Sequence, residues 1–206
     1  GVESAVTTNT ANQYRPAISG NIVVWEDYRN GNWDIYMKNL STGIENQVNS
    51  NVLKVSSQES PDIDSDKVVW EDYRNGNWDI YMKNLSTGIE SVVTTNTSPQ
   101  YDPAISGNIV VWDDLRNGNY DIYTKDLSTG IESAVTANTS EQAEPDISGN
   151  IVVWRDYRNG NYDIYSKDLS TGVESAVTTN TAGQYSPAIS GNIVVWVDDR
   201  NGNDDI

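Results

Sequence analysis

The hydrophobic positions of this chain follow no helical period. They come in short β-branched and aromatic runs such as Ile-Val-Val-Trp, each followed by a polar Asn-Gly reversal and a second run such as Asp-Ile-Tyr. Asn21 to Trp25 reads as one strand, Asn30-Gly31 as a hairpin turn and Trp33 to Tyr36 as the start of the next strand. A further strand is predicted around Pro16-Ala17-Ile18-Ser19, ended by Gly20-Asn21. A fourth is predicted around Ile44 to Val48 or Ile89 to Thr94, entered through Ser-Thr-Gly. The run Ile22-Val23-Val24 is apolar without alternation, the pattern of a strand covered on both faces.

This unit recurs. Trp25 has counterparts in Trp70, Trp112, Trp154 and Trp196 at intervals of about 42 to 45 residues, and four strands in such a span make a propeller blade. The sequence therefore predicts an all-β, five-bladed β-propeller of four-stranded antiparallel blades. It is read as a single domain over residues 1–206 with blade centres near those five tryptophans. Gly1 to Val6 repeats Gly172 to Val177, while Asn203 to Ile206 stops at the point matching Asn161 to Ile164. The N-terminal strand is accordingly expected to complete the last blade and close the ring, which removes exposed sheet edges. Each blade is expected to bury residues equivalent to Ile22, Val24, Trp25, Ile35, Tyr36 and Leu40. With seven Trp, twelve Tyr and no Phe, the buried rings carry polar atoms that need partners.

The unit PAISGNIVVWEDYRNGNWDIYMKNLSTG, with its core of Asp27, Arg29, Gly31, Asp34, Ile35 and Tyr36 recurring in all five copies, resembles the blades of TolB-like propellers. The resemblance implies a binding scaffold of the bacterial periplasm or of bacterial and archaeal surfaces, a type of propeller that also gates peptidase domains. The expected location is therefore extracellular, cell-surface or periplasmic. Ser-Gly-Asn replaces the usual Ser-Pro-Asp-Gly turn, and the TolB partnership is not carried over.

Charge narrows the partners. A net charge of −17 disfavours nucleic acid and anionic membrane, and no run is apolar enough for direct membrane insertion. The expected partner is a protein or a glycan. A monomer is expected, with exchange of strands between copies as the alternative. The absence of His and Cys excludes serine-histidine, cysteine-histidine and ordinary zinc chemistry within this chain, while paired carboxylates, as in glycoside hydrolysis, remain a catalytic option. The leading expectation is a noncatalytic scaffold; a lectin-like glycan binder and a carboxylate-based carbohydrate-active enzyme are the alternatives.

If Asn30-Gly31 forms a two-residue turn, Asp27 faces Asp34 across the hairpin, and Arg29 is expected to serve both carboxylates. The same ion-pair motif is read as Asp72, Arg74 and Asp79; Asp114, Arg116 and Asp121; Asp156, Arg158 and Asp163; and Asp198, Arg200 and Asp205. An arginine inside the cluster argues against a cation loop.

Recognition is sought where the copies differ. The blade-to-blade crossings supply a candidate rim of Tyr14, Arg15, Lys54, Glu59, Tyr101, Asp102, Glu144 and Tyr185, whose tyrosines are either platforms for a ligand or packing between blades. On the innermost strands Asp62, Asp64 and Asp146 are candidate metal ligands in a central channel. No cofactor is expected otherwise; calcium or another cation at those aspartates is the alternative to a water-filled acidic channel.

Overall fold

The computed structural model describes residues 3–50 and 56–206, which form five antiparallel sheets and no helix. Blade 1 contains β1 (Gln13–Ser19), β2 (Ile22–Asp27), β3 (Asp34–Asn39) and β4 (Glu45–Gln47) in that spatial order. Blade 2 repeats it with β5 (Gln58–Asp64), β6 (Lys67–Asp72), β7 (Asp79–Asn84) and β8 (Glu90–Val92). Blade 3 has β9 (Gln100–Ser106), β10 (Ile109–Asp114), β11 (Asp121–Asp126) and β12 (Glu132–Ala134). Blade 4 has β13 (Gln142–Ser148), β14 (Ile151–Asp156), β15 (Asp163–Asp168) and β16 (Glu174–Ala176). The fifth sheet pairs β17 (Gln184–Ser190) with β18 (Ile193–Asp198), to which an Asp198–Asp205 bridge is added. This is the all-β, five-bladed propeller class that the repeat predicted.

The chain divides into two compact units, Gly1–Thr95 with the first two blades and Asn96–Ile206 with the other three. In the first unit, Val24, Ile35 and Val48 of blade 1 pack on Ile63, Val68 and Trp70 of blade 2. In the second, Ala104, Val111, Ile122 and Val135 of blade 3 pack on Ile147, Val152 and Trp154 of blade 4. The β2-type strands of blades 1 to 4 are buried along their apolar runs, which explains their unalternating sequence, whereas Ile193 and Val195 of β18 are exposed. Leu85 and Leu169 pack against these clusters, but Leu40 is largely exposed, because within its unit no sheet precedes blade 1.

A lysine ties neighbouring blades together. Lys83 Nζ donates to the Val48 carbonyl at 2.6 Å, and Lys167 Nζ to the Val135 carbonyl. Lys38 makes the same bond to the Val6 carbonyl, so the N-terminal segment stands against blade 1 as Val48, just after β4, stands against blade 2.

The hairpin differs from the expected two-residue turn. The Tyr28 carbonyl accepts the Gly31 N–H at 3.2 Å, and Gly31 takes a φ of +88°, so Tyr28 to Gly31 forms the reversal inside a wider loop. The predicted register holds nonetheless, with Asp27 opposite Asp34.

Candidate functional site

The repeated polar cluster is built outward from tryptophan. Asp27 is fully buried and accepts Trp25 Nε1 at 3.0 Å, the Arg29 N–H at 2.9 Å, and Arg29 Nε and Nη2 at 2.8 and 2.6 Å. Burial alone would raise the Asp27 pKa, but the bonds from Arg29 and Trp25 outweigh it and hold the carboxyl below its ordinary value. Arg29 then crosses the Tyr36 ring, 3.9 Å from its centroid, and reaches Glu45 on β4 at 2.7 Å. Its expected second partner, Asp34, is instead satisfied by amide donors, from Asn30 at 2.8 Å, Asn32 at 3.0 Å and Asn49 at 3.1 Å. The two facing aspartates are thus relieved separately, one by a cation and one by neutral donors. The same arrangement joins Arg74 to Asp72 and Glu90, Arg116 to Asp114 and Glu132, and Arg158 to Asp156 and Glu174. Asp79, Asp121 and Asp163 accept from asparagines in the same way, as does Asp205, while Arg200 pairs with Asp198.

The variable residues lie elsewhere than expected. Tyr14, Arg15, Glu59, Tyr101, Asp102, Glu144 and Tyr185 belong to the innermost strands β1, β5, β9, β13 and β17 and not to the crossings; Lys54 lies outside the described residues. Each of these strands carries a bulge immediately before its proline, so pairing jumps from Tyr14–Glu26 to Ala17–Val24. Proline has no N–H to give the ladder, and the bulge tolerates it. The residue preceding it is left-handed in every blade: Arg15, Ser60, Asp102, Glu144 and Ser186 have φ between 45° and 56°. Such a backbone is uncommon for residues with a Cβ.

In the first unit, Arg15 hydrogen-bonds Ser60 Oγ and lies 3.6 Å from Glu26, whose Oε1 accepts the Ser60 N–H at 2.7 Å. Tyr14, 54% exposed, rests on Trp33 at 5.4 Å between centroids, and Tyr28 packs on the same indole at 5.0 Å. Beside Tyr14 an apolar cavity of about 230 Å³ is lined by Val6, Pro16, Val23 and Trp25. Glu59 stands opposite Glu71.

The second unit holds a denser cluster. Asp113, 3% exposed, accepts the Glu144 N–H at 3.3 Å through Oδ2, while Oδ1 has no partner. Burial, then the charge of Asp102, pushes its pKa well above the ordinary carboxylate value. Arg155 reaches Glu141 at 3.0 Å and Glu144 at 3.1 Å and sits 4.8 Å from the Tyr162 ring centroid. Glu144 also accepts the Ser186 N–H at 2.9 Å. Tyr101 packs on Tyr120 at 6.2 Å and Tyr185 on Tyr162 at 5.3 Å. Burial, followed by the charge of Asp113, raises Tyr120.

Asp113, Glu141 and Arg155 escaped the sequence reading. The signal was there: the residue after the repeat tryptophan is Glu26, Glu71, Asp113, Arg155 or Val197, a changing position inside an otherwise constant motif.

The channel candidates are placed separately in the two units. In the first, Asp62 faces Val69 across β5 and β6, and Asp64 accepts from Ser65 Oγ at 3.1 Å. In the second, Asp146 accepts the backbone N–H groups of Ile147 at 2.8 Å and Ile189 at 2.7 Å. Burial raises Asp146 despite these bonds. Among the described residues no group of three or more Asp and Glu is gathered so as to hold a metal ion. Nor is any helix long and apolar enough to cross a membrane.

A family model, the TolB beta propeller domain, matches residues 3–206. The chain belongs to this family. No curated protein sequence matches it. Among solved structures it is similar to a putative TolB from Agrobacterium tumefaciens, at 21% identity and a TM-score of 0.76, covering 94% of this chain and 72% of that one. It is also similar to TolB from Acinetobacter baumannii, at 20% identity and a TM-score of 0.67, covering 94% of this chain and 53% of that one. A puromycin-hydrolyzing peptidase from Mycobacterium tuberculosis aligns at 14% identity and a TM-score of 0.68 over 88% of this chain but 32% of its own. At such identities TolB proteins and the peptidase share the propeller fold with this chain, and their activities are not carried over.

Proposed function

We propose that this TolB-type propeller is a noncatalytic binding scaffold of an exported or cell-surface protein, with its recognition surface at the bulged ends of the innermost strands. One observation carries the reading. The Trp-Asp-Arg cluster is repeated from blade to blade with its charges paired internally, whereas the residues at and beside the bulges differ from copy to copy. A rigid frame presenting variable side chains is the usual design of a binding module.

A glycan as ligand is the second reading, favoured by the exposed Tyr14 resting on Trp33, since a tyrosine face with a hydrogen-bonding tip suits a sugar ring. A carboxylate-based enzyme is the third, for which Asp113, its pKa raised by burial, is the candidate acid.

The discriminating experiment is a turnover screen against oligosaccharides and peptides, run beside a glycan array. The scaffold reading expects no turnover. Hydrolysis that vanishes in Asp113→Asn would overturn it, and array binding lost in Tyr14→Ala would select the glycan.

A further inference from the structure

Two positions, the bulge residue and the residue after the tryptophan, form a cross-strand charge pair in blades 1 and 4, with the charges in opposite sense. In blade 1 it is Arg15 with Glu26, 3.6 Å apart. In blade 4 the charges are exchanged, with Glu144 and Arg155 at 3.1 Å. In blade 3 both positions are acidic, Asp102 and Asp113.

Asp113 is also one methylene shorter than Glu26. Glu26 reaches the next blade's N–H at 2.7 Å, but Asp113 reaches its counterpart at 3.3 Å, and Oδ1 is left buried without a partner. The nearby Arg155 gives Nη2 to Glu141 and Nη1 to Glu144, and its buried Nε makes no hydrogen bond to Asp113. Asp102, Glu144, Tyr101 and Tyr120, all half-buried, surround the aspartate, and aromatic faces beside carboxylates are the setting that attracts an organic cation.

We propose that the corner of Asp102, Asp113, Glu144, Tyr101 and Tyr120 receives a cationic side chain, a lysine ammonium or an arginine guanidinium, from a basic protein partner. The incoming cation takes the part that Arg15 plays in blade 1 and gives Asp113 Oδ1 its missing partner. A buried carboxyl oxygen without a hydrogen-bond partner is costly, and a donor from the incoming cation relieves that cost. The net charge of −17 speeds the approach of a basic segment. The inference rests on the scaffold reading and names the chemistry of its ligand.

The test is calorimetric titration with an oligolysine peptide, with oligoglutamate as control, at physiological salt. Wild type is expected to bind oligolysine alone and to release a proton on binding, because Asp113 ionises as the cation arrives. Asp113→Asn is expected to weaken binding about tenfold or more and to abolish the proton release, and Asp102→Asn to weaken it by a smaller factor. Asp204→Asn, which removes a negative charge at an exposed site, is expected to leave affinity unchanged. Equal losses in Asp113→Asn and Asp204→Asn would mean diffuse attraction to an acidic surface and overturn the proposal, as would no binding. Asp102→Asn keeps the question decidable if Asp113→Asn fails to fold. The scaffold reading fails separately, on turnover.

Discussion

Glu144 Oε1 lies 3.1 Å from Arg155 Nη1 in blade 4, the same cross-strand pair that Arg15 and Glu26 make in blade 1 with the charges exchanged. Arg155 bridges Glu141 and Glu144, and its charge opposes, without overcoming, the burial that raises the pKa of the neighbouring Asp113. Arg155→Gln is expected to destabilise the chain by about 1–2 kcal/mol, since the half-buried carboxylates lose their counter-charge. Urea unfolding of the two proteins measures it, and a change below experimental error would show the pair to be a surface ornament.

Asp113 gives stability an unusual pH dependence. Its pKa is raised in the folded chain, so the native state holds a proton that the unfolded state has released, and stability falls as pH rises from the unfolded value of about 3.9 toward the raised one. Asp113→Asn removes the ionisation. The variant is expected to be more stable than wild type at neutral pH, with the advantage shrinking toward pH 4. Thermal unfolding across that range tests it, and a constant offset would refute the assignment.

Asp27 works in the opposite sense. Its pKa is depressed, so its contribution is present above the unfolded value and is lost as pH falls through the folded one. Asp27→Ala also leaves Trp25 Nε1 and Arg29 without their acceptor, and a loss of about 3–5 kcal/mol is expected, by analogy with broken buried ion pairs. A loss under about 1 kcal/mol in urea titration would show that other groups replace it.

Arg116 offers a test of shape against charge. Its guanidinium forks onto Asp114, reaches Glu132 and covers the Tyr123 ring at 3.9 Å. Lysine keeps the charge but neither the fork nor the flat face. Arg116→Lys is expected to cost about 1–2 kcal/mol. The same change at Arg200, 47% exposed, should cost less, and equal losses would mean that charge alone matters.

Ser65 occupies the turn that the other blades give to Gly20, Gly107, Gly149 and Gly191, at a φ of 57°. Its backbone N–H bond to Ser19 Oγ survives replacement by glycine, and the side chain contributes one exposed bond to Asp64. Ser65→Gly is therefore expected to stabilise the chain by about 1 kcal/mol by removing left-handed strain. A lower melting temperature would contradict this.

The repeat fixed in advance the blade count, the strand order within a blade and the pairing of Asp27 with Asp34, because hydrophobic period and turn chemistry are local properties. The same locality explains what it could not tell. That Arg29 turns to Glu45 and leaves Asp34 to asparagines depends on β4 lying beside β3, which brings a residue beyond the next strand back to the turn. The rim residues were legible as variable positions, but their seat on strand bulges rests on a left-handed backbone before proline that composition does not signal. Asp113 looked like one more acidic residue among thirty. Only packing decided that its carboxyl is buried with an oxygen unpaired, since burial and the distance to Glu144 depend on how blade 4 closes over blade 3.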